Sequence, residues 1–191
     1  MRRLAPIAFV LAAAPVAAQD APDPRYAFTG FGGVMLDDVW EDVFLQPWNL
    51  TVEKAGLAGV AASARVWRPT SWLDVEVESQ LVFHFGDQRN VEVNAPIVTA
   101  RWTAPPWARW IDSTVAYGIG VSWASERPAL ELQNNRSTEK VMQYWMIELD
   151  AALPADDWRL VGRLHHRSVA YGLWGAAGGS NALVLGLRRQ F

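Results

Sequence analysis

The chain has 191 residues, enough for one domain of ordinary size, with a formal net charge of −3 and no cysteine. Those features exclude a disulfide framework and thiolate chemistry, and the mildly acidic balance argues against nucleic acid as a partner. Hydrophobic residues make up 51% and eleven residues are tryptophan, yet no stretch of the mature chain approaches the run of apolar residues that a transmembrane helix needs.

Met1 to Ala18 reads as a secretory signal. Arg2 and Arg3 precede a short apolar run through Ala14, and Val16-Ala17-Ala18 forms a small-residue cleavage site, so the mature chain would begin at Gln19. Removing the signal takes the formal net charge from −3 to −5. Residues 19–25 are a proline-containing, mobile lead-in.

From Tyr26 onward the dominant signal is alternation. Tyr26 to Met35 is a glycine-containing first strand, and Leu36 to Lys54 a long loop carrying Asp37, Asp38, Glu41 and Asp42, an acidic cluster that could hold a divalent cation. Ala55 to Trp67 is a small-residue strand, turning at Arg68 to Ser71. The third strand is the clearest: Leu73, Val75, Val77, Leu81, Phe83 and Phe85 alternate with Asp74, Glu76, Glu78, Gln80 and His84. After a loop at Gly86 to Asn90, Val91 to Thr103 is a fourth strand in which Pro96 implies a bulge, because proline removes a ladder donor.

Ala104 to Arg109 turns into a fifth strand whose outer row is Ile111, Val115, Tyr117, Ile119, Val121 and Trp123. Glu126 to Thr138 is a polar loop. Glu139 to Ala152 is a sixth strand, with Trp145, Ile147 and Leu149 on one face and Glu148 and Asp150 on the other. Pro154 to Asp157 leads to the closing hairpin. There Trp158, Leu160, Gly162, Leu164, His166 and Ser168 share one face, and Arg159, Arg163, His165 and Arg167 the other. A glycine-rich break from Gly172 to Gly179 precedes the eighth strand, in which Asn181, Leu183, Leu185, Leu187 and Arg189 face one way and Ala182, Val184, Gly186 and Arg188 the other.

Eight alternating strands rich in aromatics fit an eight-stranded antiparallel outer-membrane β-barrel, apolar outside and polar inside, with the long loops at the outer end and both termini at the inner end. A barrel of this size is filled by side chains, which excludes a porin. The inward list holds both signs, Asp74, Glu76, Glu78, Glu148 and Asp150 against Arg159, Arg163, Arg167 and Arg188, and implies a mutually neutralised network.

His166 and Ser168 stand on the lipid-facing row, where polar residues need a reason. Residues two apart on a strand point the same way, roughly 6.6 Å apart along the chain, so an imidazole and a hydroxyl there can act as general base and nucleophile. The ten steps from Trp158 to Ser168 cover roughly the 25 Å apolar band, which sets Ser168 at the outer interface, with Tyr171 and Trp174 in the outer aromatic belt.

Leu164-His165-His166-Arg167-Ser168, followed by a terminal strand ending in Phe191, resembles the lipid A 3-O-deacylases, a family of eight-stranded outer-membrane barrels. The architectural likeness covers nearly the whole mature chain, and the motif likeness is confined to the closing hairpin. It implies hydrolysis of an acyl ester of lipid A by Ser168 and His166, without metal or cofactor, with lipopolysaccharide in the outer leaflet as the partner. Two positions depart from the family pattern. Val169 follows the serine where the family has an oxyanion-stabilising asparagine, and Ser180 stands where the family has its glutamate. Asn181 is the candidate third residue, as orienter or oxyanion donor; Glu126, Glu131 and Glu139 are other candidates to orient the histidine. The rival reading is a non-catalytic barrel whose loops contact lipopolysaccharide or another envelope partner.

Overall fold

A computed structural model describes residues 23–135, 137–155, 157–170 and 178–191. The expected signal segment and the aromatic pair Tyr171 and Trp174 lie outside the described residues. Eight strands close into one antiparallel barrel in sequence order: β1 (Tyr26–Leu36), β2 (Val52–Thr70), β3 (Leu73–Gly86), β4 (Val91–Trp102), β5 (Ser113–Ala124), β6 (Val141–Ala152), β7 (Trp158–Ser168) and β8 (Gly179–Gln190), the last pairing with β1. Short helices α1 (Asp42–Leu45) and α2 (Ala129–Asn135) sit in the connections after β1 and β5. The termini meet at one end, where the Arg25 and Tyr26 amides donate to the Phe191 carbonyl. In barrels of this kind the opposite end, with the longer connections, is the outer one.

The expected alternation holds on the strands other than β4. On β3, Asp74, Glu76, Glu78, Gln80, Val82 and His84 are buried in the lumen, while Leu81, Phe83 and Phe85 lie exposed on the outer wall. Such a wall belongs against hydrocarbon, and its closed ladder leaves no backbone edge to satisfy there. Strand ends differ from the sequence expectation in places. β2 runs on to Thr70, its ladder slipping between Trp67 and Thr70, where Pro69 cannot donate. β5 begins at Ser113 rather than Ile111, because residues 105–111 coil through successive turn bonds, such as Trp110 N–H to the Trp107 carbonyl.

Pro96 produces the expected bulge: the β3–β4 ladder slips between Glu78/Ile97 and Gln80/Asn94, and the β4–β5 ladder between Asn94 and Ile97. One extra residue reverses the parity of everything beyond it. Before the slip Glu92 and Asn94 point inward; after it Ile97, Thr99 and Arg101 do.

Arg101 thereby becomes the hub of the lumen. Its guanidinium meets Glu76 at 2.9 Å, Glu148 at 2.8 Å and Asp150 at 2.8 Å. Arg163 bridges Glu78 and Glu148, Arg188 reaches Glu76, and Arg159 reaches Asp150. Nearer the outer end, Glu92 takes His84 Nε2 and His165 Nε2 on its two oxygens, each at 3.0 Å. The other side of the lumen is apolar: Phe31, Met35, Leu57, Ala61, Val82, Ala182 and Val184 pack together, and Leu130 of α2 closes the cluster from above. β1 and β8 come so close that a Cβ at Gly33 would collide with the Leu183 carbonyl oxygen, a gap open to glycine alone.

Two substitutions separate wall from lumen. Leu185, 68% exposed midway along β8, should tolerate arginine badly in a bilayer, losing about 2–4 kcal/mol. Arg101→Met should cost about 3–5 kcal/mol in any lipid, because it strands buried carboxylates. Urea titration of protein folded in vesicles of two thicknesses checks both, and only the Leu185→Arg loss should change with thickness.

Candidate active site

β7 fixes the positions of the two expected catalytic side chains. His166 lies directly across from Trp145 of β6 and Asn181 of β8, and Ser168 directly across from Gln143 and Gly179. Over most of these three strands the outer row is apolar: Trp145, Ile147 and Leu149 on β6, Leu160 and Leu164 on β7, Leu183, Leu185 and Leu187 on β8. At the outer end it turns polar, with Gln143, His166, Ser168 and Asn181 side by side.

His166 is on the outer wall yet only 8% exposed. The Trp145 ring covers it with centroids 4.3 Å apart, and Trp40, from the connection after β1, packs edge-on against Trp145 at 5.4 Å. Part of that connection therefore folds down over the barrel's outside. Its carboxylates are separately engaged: Asp38 takes the Thr51 amide, Asp37 takes Asn134 Nδ2, and Asp42 takes Gln46 Nε2. Among the described residues no group of three metal-ligating side chains converges.

Asn181 fixes the tautomer of His166. Its Nδ2 donates to the Asp38 carbonyl at 2.7 Å, and a carbonyl can only accept, so the amide orientation is set. Asn181 Oδ1 then faces His166 Nδ1 at 2.6 Å, and that nitrogen must carry the proton. In the neutral imidazole this tautomer leaves Nε2 bare, the form a general base requires.

Ser168 donates to Gln143 Oε1 across a long 3.5 Å contact and accepts the Ala170 amide at 3.4 Å. Its hydroxyl is thus not locked to a strong partner. Ala170 has φ +47°, a left-handed backbone that alanine adopts at a cost, and this curl turns its N–H back toward the serine. His166, Ser168 and Asn181 all line one cleft of about 350 Å³, walled on the other side by Leu36, Asp38, Trp40, Glu41 and Asn134.

The acids expected as candidates lie away from His166. Ser180, at the position of the family glutamate, borders the cleft itself, but its hydroxyl donates into the lumen, to Glu131, at 2.8 Å. Glu131 is buried there with Arg167, Glu139 pairs with exposed Arg127, and Glu126 lines a separate opening with Asp87 and Arg89. His165 faces inward, as its parity requires. The sequence reading missed Asp38 and Trp40, which reach the site only through the folding-down of the first connection, and the covering role of Trp145, which the β6–β7 register sets beside His166.

The fold is that of the outer-membrane β-barrels. The chain is similar to the outer membrane enzyme PagL, with 14% sequence identity and a TM-score of 0.58, over 86% of this chain and 99% of that one. It also matches Neisserial surface protein A, NspA, with 11% identity and a TM-score of 0.48, over 87% and 96% of the two chains. No protein-family model and no curated protein sequence matches the chain.

Nitrogen-15 NMR of histidine-labelled protein should find His166 protonated at Nδ1. Asn181→Leu should abolish that preference while leaving a folded barrel. A wild-type His166 protonated at Nε2 would contradict the hydrogen-bond assignment.

Proposed function

We propose that the protein is an outer-membrane ester hydrolase that removes an acyl chain from lipid A, working on the lipid-facing outer wall of its barrel. The observation that carries this reading is the His166–Asn181–Asp38 chain of hydrogen bonds, which leaves a bare imidazole nitrogen in the same cleft as the Ser168 hydroxyl. The motif resemblance of the closing hairpin to lipid A 3-O-deacylases, and the fold shared with an outer membrane enzyme, point the same way.

Placement narrows the substrate. The polar patch interrupts an apolar wall at the end of the barrel that carries the long loops, so a substrate must present its reactive bond at the boundary of acyl chain and headgroup. The acyl esters of lipid A in the outer leaflet lie at that depth. In the reaction, His166 Nε2 takes the proton of Ser168 as Oγ attacks the ester carbonyl carbon, and the carbonyl π pair moves onto oxygen. The tetrahedral species collapses, breaking the bond to the sugar oxygen, which receives the proton from His166. Water, activated by the same histidine, then releases the fatty acid from Ser168. No metal or cofactor enters this scheme.

Asn181 replaces the family's glutamate as orienter. It holds the ring by a hydrogen bond but lends no negative charge to the imidazolium, so a slower enzyme is expected than one with the acid.

Ser168→Ala and His166→Ala should each leave a folded barrel and remove nearly all release of fatty acid from lipid A in mixed micelles. The double variant should lose little more, because nucleophile and base act as a unit. His165→Ala, in the lumen beside Glu92 and Tyr144, should lower stability more than turnover. Mass spectrometry of the lipid A decides. A wild type that releases no acyl chain from lipopolysaccharide or phospholipid would leave the rival, a non-catalytic barrel with lipopolysaccharide-binding loops.

A further inference from the structure

We propose that Gln143, with the Ala170 amide, forms the oxyanion hole of this site, a role that rests on the hydrolase reading above. A serine hydrolase needs hydrogen-bond donors where the carbonyl oxygen gains charge. The residue after the serine, Val169, carries no side-chain donor. Asn181 gives its oxygen to His166 and one N–H to the Asp38 carbonyl, and it stands across the ladder from His166 rather than from Ser168. A donor paired with Ser168 itself is better placed.

Gln143 holds that place. It pairs with Ser168 across the β6–β7 ladder, and its Oε1 stands 3.5 Å from Ser168 Oγ. It is the one polar side chain in the outer row of β6, among Val141, Trp145, Ile147 and Leu149. Ser168 is its only hydrogen-bond partner among the described residues. The two amides thus flank β7 on opposite sides, Asn181 beside the base and Gln143 beside the nucleophile.

A change of partner follows from the chemistry itself. In the resting site the serine has a proton to give, and the Gln143 oxygen accepts it. When Oγ bonds to the acyl carbon, that proton passes to His166 and the carbonyl oxygen becomes negative one bond away. Rotation of the Gln143 amide by half a turn then presents Nε2 to the new charge. The Ala170 N–H, already 3.4 Å from Oγ and held there by its left-handed backbone, supplies the second donor. On collapse the charge leaves the oxygen as the bond to the sugar breaks, and the amide returns.

The test compares Gln143→Ala and Gln143→Glu with wild type on lipid A. The glutamate is close in size but has no N–H to donate. Both should lower kcat by about 100- to 1000-fold. Affinity for an ether-linked lipid A analogue, which has no carbonyl at that position, should stay within about twofold. Retained mobility on unheated gels controls for folding. Wild-type turnover by Gln143→Ala overturns the proposal alone, as does an equal loss of turnover and analogue binding, which would make Gln143 a lipid-positioning group. A wild type that cleaves no ester overturns the hydrolase reading, and this proposal with it.

Discussion

A closed sheet in a bilayer leaves each side chain only two destinations, the lumen or the lipid, and strand parity decides between them. Hydrocarbon offers no hydrogen-bond partner, so the ladder must close on itself and the outer row must be apolar. Everything else in this barrel is a consequence of which residues parity sends inward. Arg101, Arg159, Arg163, Arg167 and Arg188 go to the lumen, and so do the carboxylates that neutralise them. The lumen needs no water-filled pore to tolerate this charge, because each guanidinium meets two or more oxygens at hydrogen-bonding distance or one carboxylate backed by a second at longer range. Its other half is packed with apolar side chains from β1, β2 and β8 and needs no such pairing.

On the proposed hydrolase reading, the rigidity of the wall has a chemical use. The site's four polar side chains stand on three adjacent strands at fixed register, so their spacing is set by the sheet rather than by a loop. The loops contribute what a sheet cannot. The first connection brings the Asp38 carbonyl and the Trp40 ring down onto the outer wall, and α2 plugs the lumen with Leu130 while Glu131 clamps Arg167 beneath the site. A histidine on the outer wall is thereby nearly buried, although that row otherwise faces the membrane.

Alternation makes most of the fold legible in the amino-acid order alone. All eight strands, their closure and the inward acids and bases of β3, β6, β7 and β8 follow from period two, because a residue's face is written directly in its parity. The exception is β4. Pro96 signals a bulge, but the extra residue also exchanges inside for outside beyond it, and this conceals Arg101 as the hub of the lumen. The candidate site divides in the same way. His166, Ser168 and Asn181 are legible because they break an apolar row. The anchoring of Asn181 is not, because Asp38 is 143 residues away in sequence and acts through its backbone carbonyl, which carries no mark of residue type.

On the proposed reading, that backbone contact lets an amide stand in for an acid. Replacing the orienting carboxylate of a serine–histidine pair by asparagine costs about 10⁴ in kcat where the amide selects the wrong imidazole tautomer. The loss arises because an amide can present either its oxygen or its NH₂ to the ring, and the latter forces the proton onto the catalytic nitrogen. Here the choice is removed: the NH₂ is taken by the Asp38 carbonyl, so only the oxygen is left for His166. What remains absent is the negative charge that would steady the imidazolium. In the low dielectric beside lipid, that charge would itself have to be stripped of water when no substrate is bound. On that reading a neutral orienter avoids the desolvation at the expense of part of the transition-state stabilisation, while the first connection, by supplying one carbonyl, secures the tautomer.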